Sequence, residues 1–162
     1  MFETAGTPHP HDKGADSRVH EVASMYGLTP KVEAAIRDAV WSEQWQRMRM
    51  LMDPLHPADK ADFLERLSSE DLRLVVRQLG PDFDAEILPY LHEEVREDVW
   101  DLLDPGVFAA SLPELDSDDV VTIAEGLEPE QLDKALAALP AQERVLVEQS
   151  LAYPEDSAGR MM

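Results

Sequence analysis

Leucine falls at positions 55, 67, 79, 91, 103, 115, 127, 139 and 151, a spacing of twelve held without a miss. Proline falls at 57, 81, 105 and 129, a spacing of twenty-four, each two residues after a ladder leucine. Two locked periods mean one structural unit copied along the chain. Proline is tolerated in the first turn of a helix, where its missing N–H would have no partner anyway. Each twenty-four residues therefore read as two helices of about nine residues, with proline opening every other one. The positions three and four before the leucine are apolar in most copies: Phe63 and Leu64, Val75 and Val76, Ile87 and Leu88, Val99 and Trp100, Ile123 and Ala124. With the leucine they form one stripe at helical spacing. Each ladder leucine is expected to close its helix and point inward. Ser68, Asp104 and Asp116 stand just before helix starts, where short polar side chains cap free N–H groups. Helices this short do not hold in isolation, because nucleating a helix is costly. The expected fold is all-α: a superhelical, α-solenoid-like stack of short helices on a 24-residue helix-pair repeat.

Upstream of the ladder the pattern is plainer. Thr29 and Pro30 read as an N-cap followed by proline at the first helical position. Val32, Ala35, Ile36, Ala39 and Val40 then recur at helical spacing. A short helix over about residues 43–52 carries Trp45, Met48, Leu51 and Met52, and Asp53-Pro54 ends it. Residues 1–28 read as a flexible tail broken by Gly6, Pro8, Pro10 and Gly14, with weak helical patterning from Val19. His9 and His11 in that tail read as incidental. The expected organisation is a tail over 1–28, a helical domain over 29–152 and a linker over 153–162.

The charge is lopsided. Thirty-four acidic against fourteen basic residues give −20, and residues 82–133 hold seventeen Asp and Glu with Arg96 as the single base. Such a surface repels nucleic acid and anionic lipid and attracts cations or a basic partner. Part of the excess has a local use: Glu70, Asp71, Glu93, Glu94, Asp118, Asp119 and Glu130 fall in first turns, where they complement the helix dipole. That explanation leaves the bases missing from the last turns between 97 and 133 unaccounted for. From charge alone, the plain reading is a solvated face that aids solubility. The chain has no cysteine, so no disulfide and no thiolate metal site. No apolar run approaches the ~20 residues that span a bilayer, and the N-terminus lacks a signal-peptide core. No phosphate loop, nucleophile motif or metalloprotease spacing is present, and the chain does not read as an enzyme.

Two segments are more specific than the ladder. Residues 55–64 read LHPADKADFL, and residues 153–161 read YPEDSAGRM. Together with the ladder joints they resemble the intracellular N domain of the MgtE magnesium transporters. There the first segment opens the domain as LHPADxADLL, and the second leads into a pair of CBS domains. The resemblance covers roughly residues 30–162. It implies a longer parent chain, a homodimer with CBS domains and a membrane pore, of which this chain is the cytoplasmic arm. It implies a regulatory role: Mg²⁺ ions between the arm and the CBS domains hold the cytosolic part closed and shut the pore.

The same resemblance implies where metal ligands lie. A glutamate in the third turn of the helix after the LGP joint falls at Glu86. An aspartate of the next acidic joint falls at Asp118, with Asp119 beside it. A further carboxylate is expected four residues on, where this chain has Thr122, so a hydroxyl or a bridging water would stand in. The backbone near Arg160 is a possible carbonyl ligand. Mg²⁺ takes oxygen ligands in an octahedron and keeps several waters, so one acidic surface supplies only part of its shell. His56 and His92 at repeat joints, and Asp98 and Asp116 on the acidic face, read as structural or solvated residues. Trp41, Trp45 and Trp100 read as packing residues. A second reading needs no ion: an acidic helical-repeat module, similar in architecture to the flagellar motor switch protein, that docks a basic partner, or a stand-alone scaffold.

Overall fold

The computed structural model describes residues 13–111 and 115–152, and the described residues form helices joined by short turns, with no strand among them. The motif at 153–161, the histidines at 9 and 11, and Arg160 lie outside the described residues. The chain divides into two compact units, residues 1–55 and 56–162. Among the described residues no helix is long and apolar enough to cross a membrane.

The first unit contains α1 (Lys13–Tyr26), α2 (Pro30–Trp41) and α3 (Trp45–Met52), each packed on the other two. Thr29 caps α2 by accepting the Val32 N–H, and Pro30 occupies the first turn as the sequence predicts. Val32, Ile36, Ala39, Met48 and Leu51 are completely buried and form the core with Val19 and Ala23 of α1. Gly27 turns the chain between α1 and α2 at φ 69°, a conformation that favours glycine. Arg47 on α3 ties the three helices together. Its Nε lies 2.9 Å from Asp16 Oδ2 on α1, and its Nη1 lies 2.7 Å from Asp38 Oδ2 on α2. The hydrogen bond to Asp16, first among several effects, holds the Arg47 guanidinium still more firmly protonated.

The flexible tail expected over 1–28 is thus helical from Lys13 to Tyr26. The anchor that orders α1, Asp16 against Arg47, joins residues 31 apart, and no local pattern reveals it. Trp41, expected to pack, is 69% exposed at the end of α2, whereas Trp100 is buried.

The second unit carries the ladder. It runs α4 (Pro57–Glu65), α5 (Ser69–Leu79), 3-10 turns at Gly80–Asp82 and Ala85–Tyr90, α6 (Glu93–Leu102), α7 (Pro105–Ser111), α8 (Ser117–Glu125), α9 (Pro129–Ala138) and α10 (Ala141–Ala152). One joint recurs: a ladder leucine at the bend, then the residue that starts the next helix. His56, Ser68, His92, Asp116 and Glu128 are N-cap residues in this way. Ser68 Oγ accepts the Asp71 N–H at 3.1 Å, and Asp104 accepts the Gly106 N–H at 2.7 Å.

Packing follows the 24-residue period. α4 packs on the Ala85–Tyr90 turn, α5 on α6, that turn on α7, α7 on α9 and α8 on α10. Each of these five pairs joins elements two places apart. The ion pair between Lys60 Nζ and Asp84 Oδ2, 2.8 Å, joins residues 24 apart in the same way. The predicted apolar pairs from Phe63-Leu64 to Ile123-Ala124 are all buried.

Two expectations are corrected here. Residues 80–90 form 3-10 turns, not a nine-residue α-helix. Gly80 leaves α5 at φ 48°, Phe83 and Asp84 are extended, and Pro89 inside the second turn would collide with the carbonyl four residues back in an α-helix. The ladder is also not uniformly inward. Leu55, Leu79, Leu91, Leu127 and Leu139 are buried, but Leu67, Leu103, Leu115 and Leu151 are only partly so. Leu103 lines an open groove of about 450 Å³ with Gly80 and Pro81, the point where the missing α-helix leaves a gap.

Candidate functional site: the acidic face between the second 3-10 turn and α8

Glu86 stands in the first turn of the Ala85–Tyr90 segment. Asp84 precedes it as N-cap, and Asp84 Oδ1 accepts the Glu86 N–H at 3.1 Å. Ala85, Ile87 and Leu88 on either side are buried, which leaves the Glu86 side chain exposed. It sits one turn into a 3-10 segment and not in the third turn of an α-helix. The segment packs directly on α8, so Glu86 and the α8 positions belong to one packed pair of elements.

On α8, Val120, Val121, Ile123 and Ala124 face the core. That periodicity turns Asp118 and Thr122 to solvent and leaves Asp119 at the boundary. Asp118 and Thr122 are one turn apart, and the Thr122 hydroxyl donates to the Asp118 carbonyl oxygen at 2.8 Å. This bond uses the hydroxyl proton and leaves the oxygen able to accept or to face a cation. Asp116, the N-cap, makes no side-chain capping bond, so its carboxylate adds charge at the same helix end.

Asp119 carries the one raised carboxyl on this face. Burial pushes it above its ordinary value, and the neighbouring charges of Asp118 and then Asp116 push in the same direction. The folded state is therefore penalised only when Asp119 is ionised: not at all below its ordinary value, and fully above its raised one. Asp119→Asn is expected to match the parent's thermal midpoint in acid and to exceed it at neutral pH. A gap that stays constant with pH would rule out an electrostatic origin.

Among the described residues no three His, Asp or Glu side chains converge as a closed metal cage. Of the four predicted positions, Glu86, Asp118 and Thr122 are exposed and Asp119 is partly buried, on two elements that pack together. The donors are all oxygens, which suits a hard cation that keeps part of its water shell. The joint histidines make structural bonds. His56 Nδ1 accepts the Ala58 N–H at 3.2 Å, and Glu65 Oε1 lies 2.7 Å from His92 Nδ1 and accepts the His92 N–H.

Arg96 was visible in the sequence as the lone base of the acidic stretch, but its placement was not. It reaches from α6 to α8, and its Nη1 donates to the Thr122 carbonyl at 3.3 Å.

The comparisons with known proteins agree with this architecture. The family model described as the MgtE intracellular N domain matches residues 55–156. A solved structure described as the soluble part of a magnesium transporter aligns with a TM-score of 0.68 and 23% identity, over 82% of this chain and 52% of that one. The chain thus spans about half the length of that structure, and at this identity the likeness establishes the fold. No curated protein matches the chain. The family match takes in more than half of the sequence and every element of the ladder, and the chain belongs to the MgtE intracellular N-domain family.

Proposed function

We propose that the chain is the cation-responsive arm of a magnesium transporter, lying on the cytosolic side and docking on CBS domains of the same parent chain. The observation that carries this reading is the packed pair formed by the Glu86 turn and α8, on which Glu86, Asp118 and Thr122 are exposed and Asp119 lies at the boundary. Its place inside a magnesium-transporter family domain supports the choice of ion. Asp118 and Glu86 would supply carboxylate oxygens, Thr122 a hydroxyl or water-mediated contact, and a facing surface the rest.

The mechanism is a population shift. Residues 82–133 carry seventeen acids and one base, so a second acidic surface is repelled when no ion lies between them. A divalent cation binds the closed arrangement better than the open one and shifts the balance by that difference. Gating of the pore and homodimerisation of the parent belong to this proposal.

The test is an NMR titration of the chain with MgCl₂ against NaCl at matched ionic strength. Saturable shifts at Glu86 and residues 118–122, absent with NaCl, are expected. Diffuse shifts along the whole face that follow ionic strength alone would favour a charged docking surface for a basic partner.

A further inference from the structure

We infer that Arg96 is the positioning residue of the acidic face: reaching from α6, it clamps the last turn of α8 and so fixes where Asp118, Asp119 and Thr122 are presented. The functional part of this inference rests on the cation-responsive reading; the clamp itself does not.

α8 has three acids at its start and no base in its own last turn. A helix end of that kind leaves C-terminal carbonyls without a complementary charge. Arg96 supplies one from 26 residues upstream. Its Nη1 donates to the Thr122 carbonyl at 3.3 Å and its Nη2 to the Leu91 carbonyl at 3.2 Å. One guanidinium thereby joins the joint before α6 to the end of α8. A planar group with separate donors can hold two carbonyls at once, which an ammonium holds less well.

The surroundings are built for the approach. Gly126 lies against the guanidinium, and a Cβ there would sit 3.2 Å from Nη1. Nε is buried without a hydrogen-bond partner. Leaving a buried donor unpaired costs free energy, so the remaining contacts must repay it. The arrangement also recurs. Arg144 stands two repeats later, its Nη2 donates to the ladder carbonyl five residues back, Leu139, at 3.3 Å, and its Nε is likewise buried and unpaired. In Arg96 the clip reaches α8, and that helix bears three of the four predicted ligand positions. The bases missing from the last turns are thus replaced, for α8, by one base borrowed from another helix.

Three variants test this. Arg96→Met keeps much of the apolar stem and removes the donors. Arg96→Lys keeps the charge and can serve one carbonyl at a time. Gly126→Ala leaves Arg96 in place and crowds it. Amide hydrogen exchange is read in α8, with the first unit as internal reference. Arg96→Met is expected to speed exchange at residues 120–127 by about tenfold or more, with Gly126→Ala changing it in the same direction and Arg96→Lys falling between parent and Arg96→Met. If Arg96→Met does not fold, Gly126→Ala and Arg96→Lys decide alone. Unchanged α8 exchange in the folded variants would overturn the clamp. The same variants are titrated with MgCl₂ against NaCl; a weaker Mg²⁺-specific response at 118–122, partly restored by lysine, is expected. Should the parent show no Mg²⁺-specific response, the cation reading fails while the exchange data still decide the clamp. A full response in Arg96→Met with loosened α8 would overturn the positioning role.

Discussion

Leu88→Ala should lower unfolding free energy by about 2–5 kcal/mol, whereas Leu103→Ala should cost under about 2 kcal/mol. Both are leucines of the ladder unit, so side-chain chemistry is constant and only surroundings differ. Leu88 is completely buried in the Ala85–Tyr90 turn, which packs on α4, α7 and α8. Truncation there opens a cavity among three elements that are held by other contacts and cannot all close in. Leu103 already borders the open groove beside Gly80 and Pro81, so much of its surface stays wet. A small domain has only about 5–15 kcal/mol of net stability, so the first substitution threatens folding and the second does not. Urea unfolding checks this, with the slope compared to confirm that the denatured state is unchanged. Equal losses would mean that burial does not set the energetics of these leucines.

Asp16→Ala should cost about 1.5–3 kcal/mol in the first unit, the range for losing hydrogen bonds to a charged group. Asp16 is buried, and the Arg47 fork meets both of its oxygens: Nε at 2.9 Å from Oδ2 and Nη2 at 2.9 Å from Oδ1. Removing the carboxylate strands a guanidinium whose remaining acidic partner, Asp38, is exposed. Arg47→Met should recover part of the loss in the double variant, because a methionine no longer needs a buried partner. A double-mutant cycle measured by exchange at α1 amides separates pair energy from packing. Additive losses would show that the Asp16–Arg47 pair adds no coupling energy to the anchoring of α1.

Much of the second unit was legible in the sequence because its energetics are local. Proline at helix starts, caps at joints and apolar pairs at fixed offsets each depend on a few adjacent residues, and all recur. The failures have the opposite character. The nine-residue α-helix expected to open at Pro81 was cancelled by Pro89 and Gly80, a conflict with the repeat that the leucine period masked. The order in α1 and the reach of Arg96 depend on partners 31 and 26 residues away. The candidate site residues were assigned through family resemblance and not through physics. The structure adds that the Glu86 turn and α8 form a packed pair, that burial raises the Asp119 carboxyl, and that the Thr122 hydroxyl already donates to the Asp118 carbonyl.

The two-place packing has a mechanical consequence. Alternate elements pack in two rows: α4, the Ala85–Tyr90 turn, α7 and α9 in one, and α5 with α6 and α8 with α10 in the other. A push on one element passes along its own row first, in steps of 24 residues. The Ala85–Tyr90 turn also touches α8, in the opposite row. It therefore acts as a cross-brace, and its proline-stiffened backbone has little slack with which to absorb a load. A force that draws Glu86 outward is shared between both rows at that rung, because the same turn bears on α4 and α7 in one row and on α8 in the other.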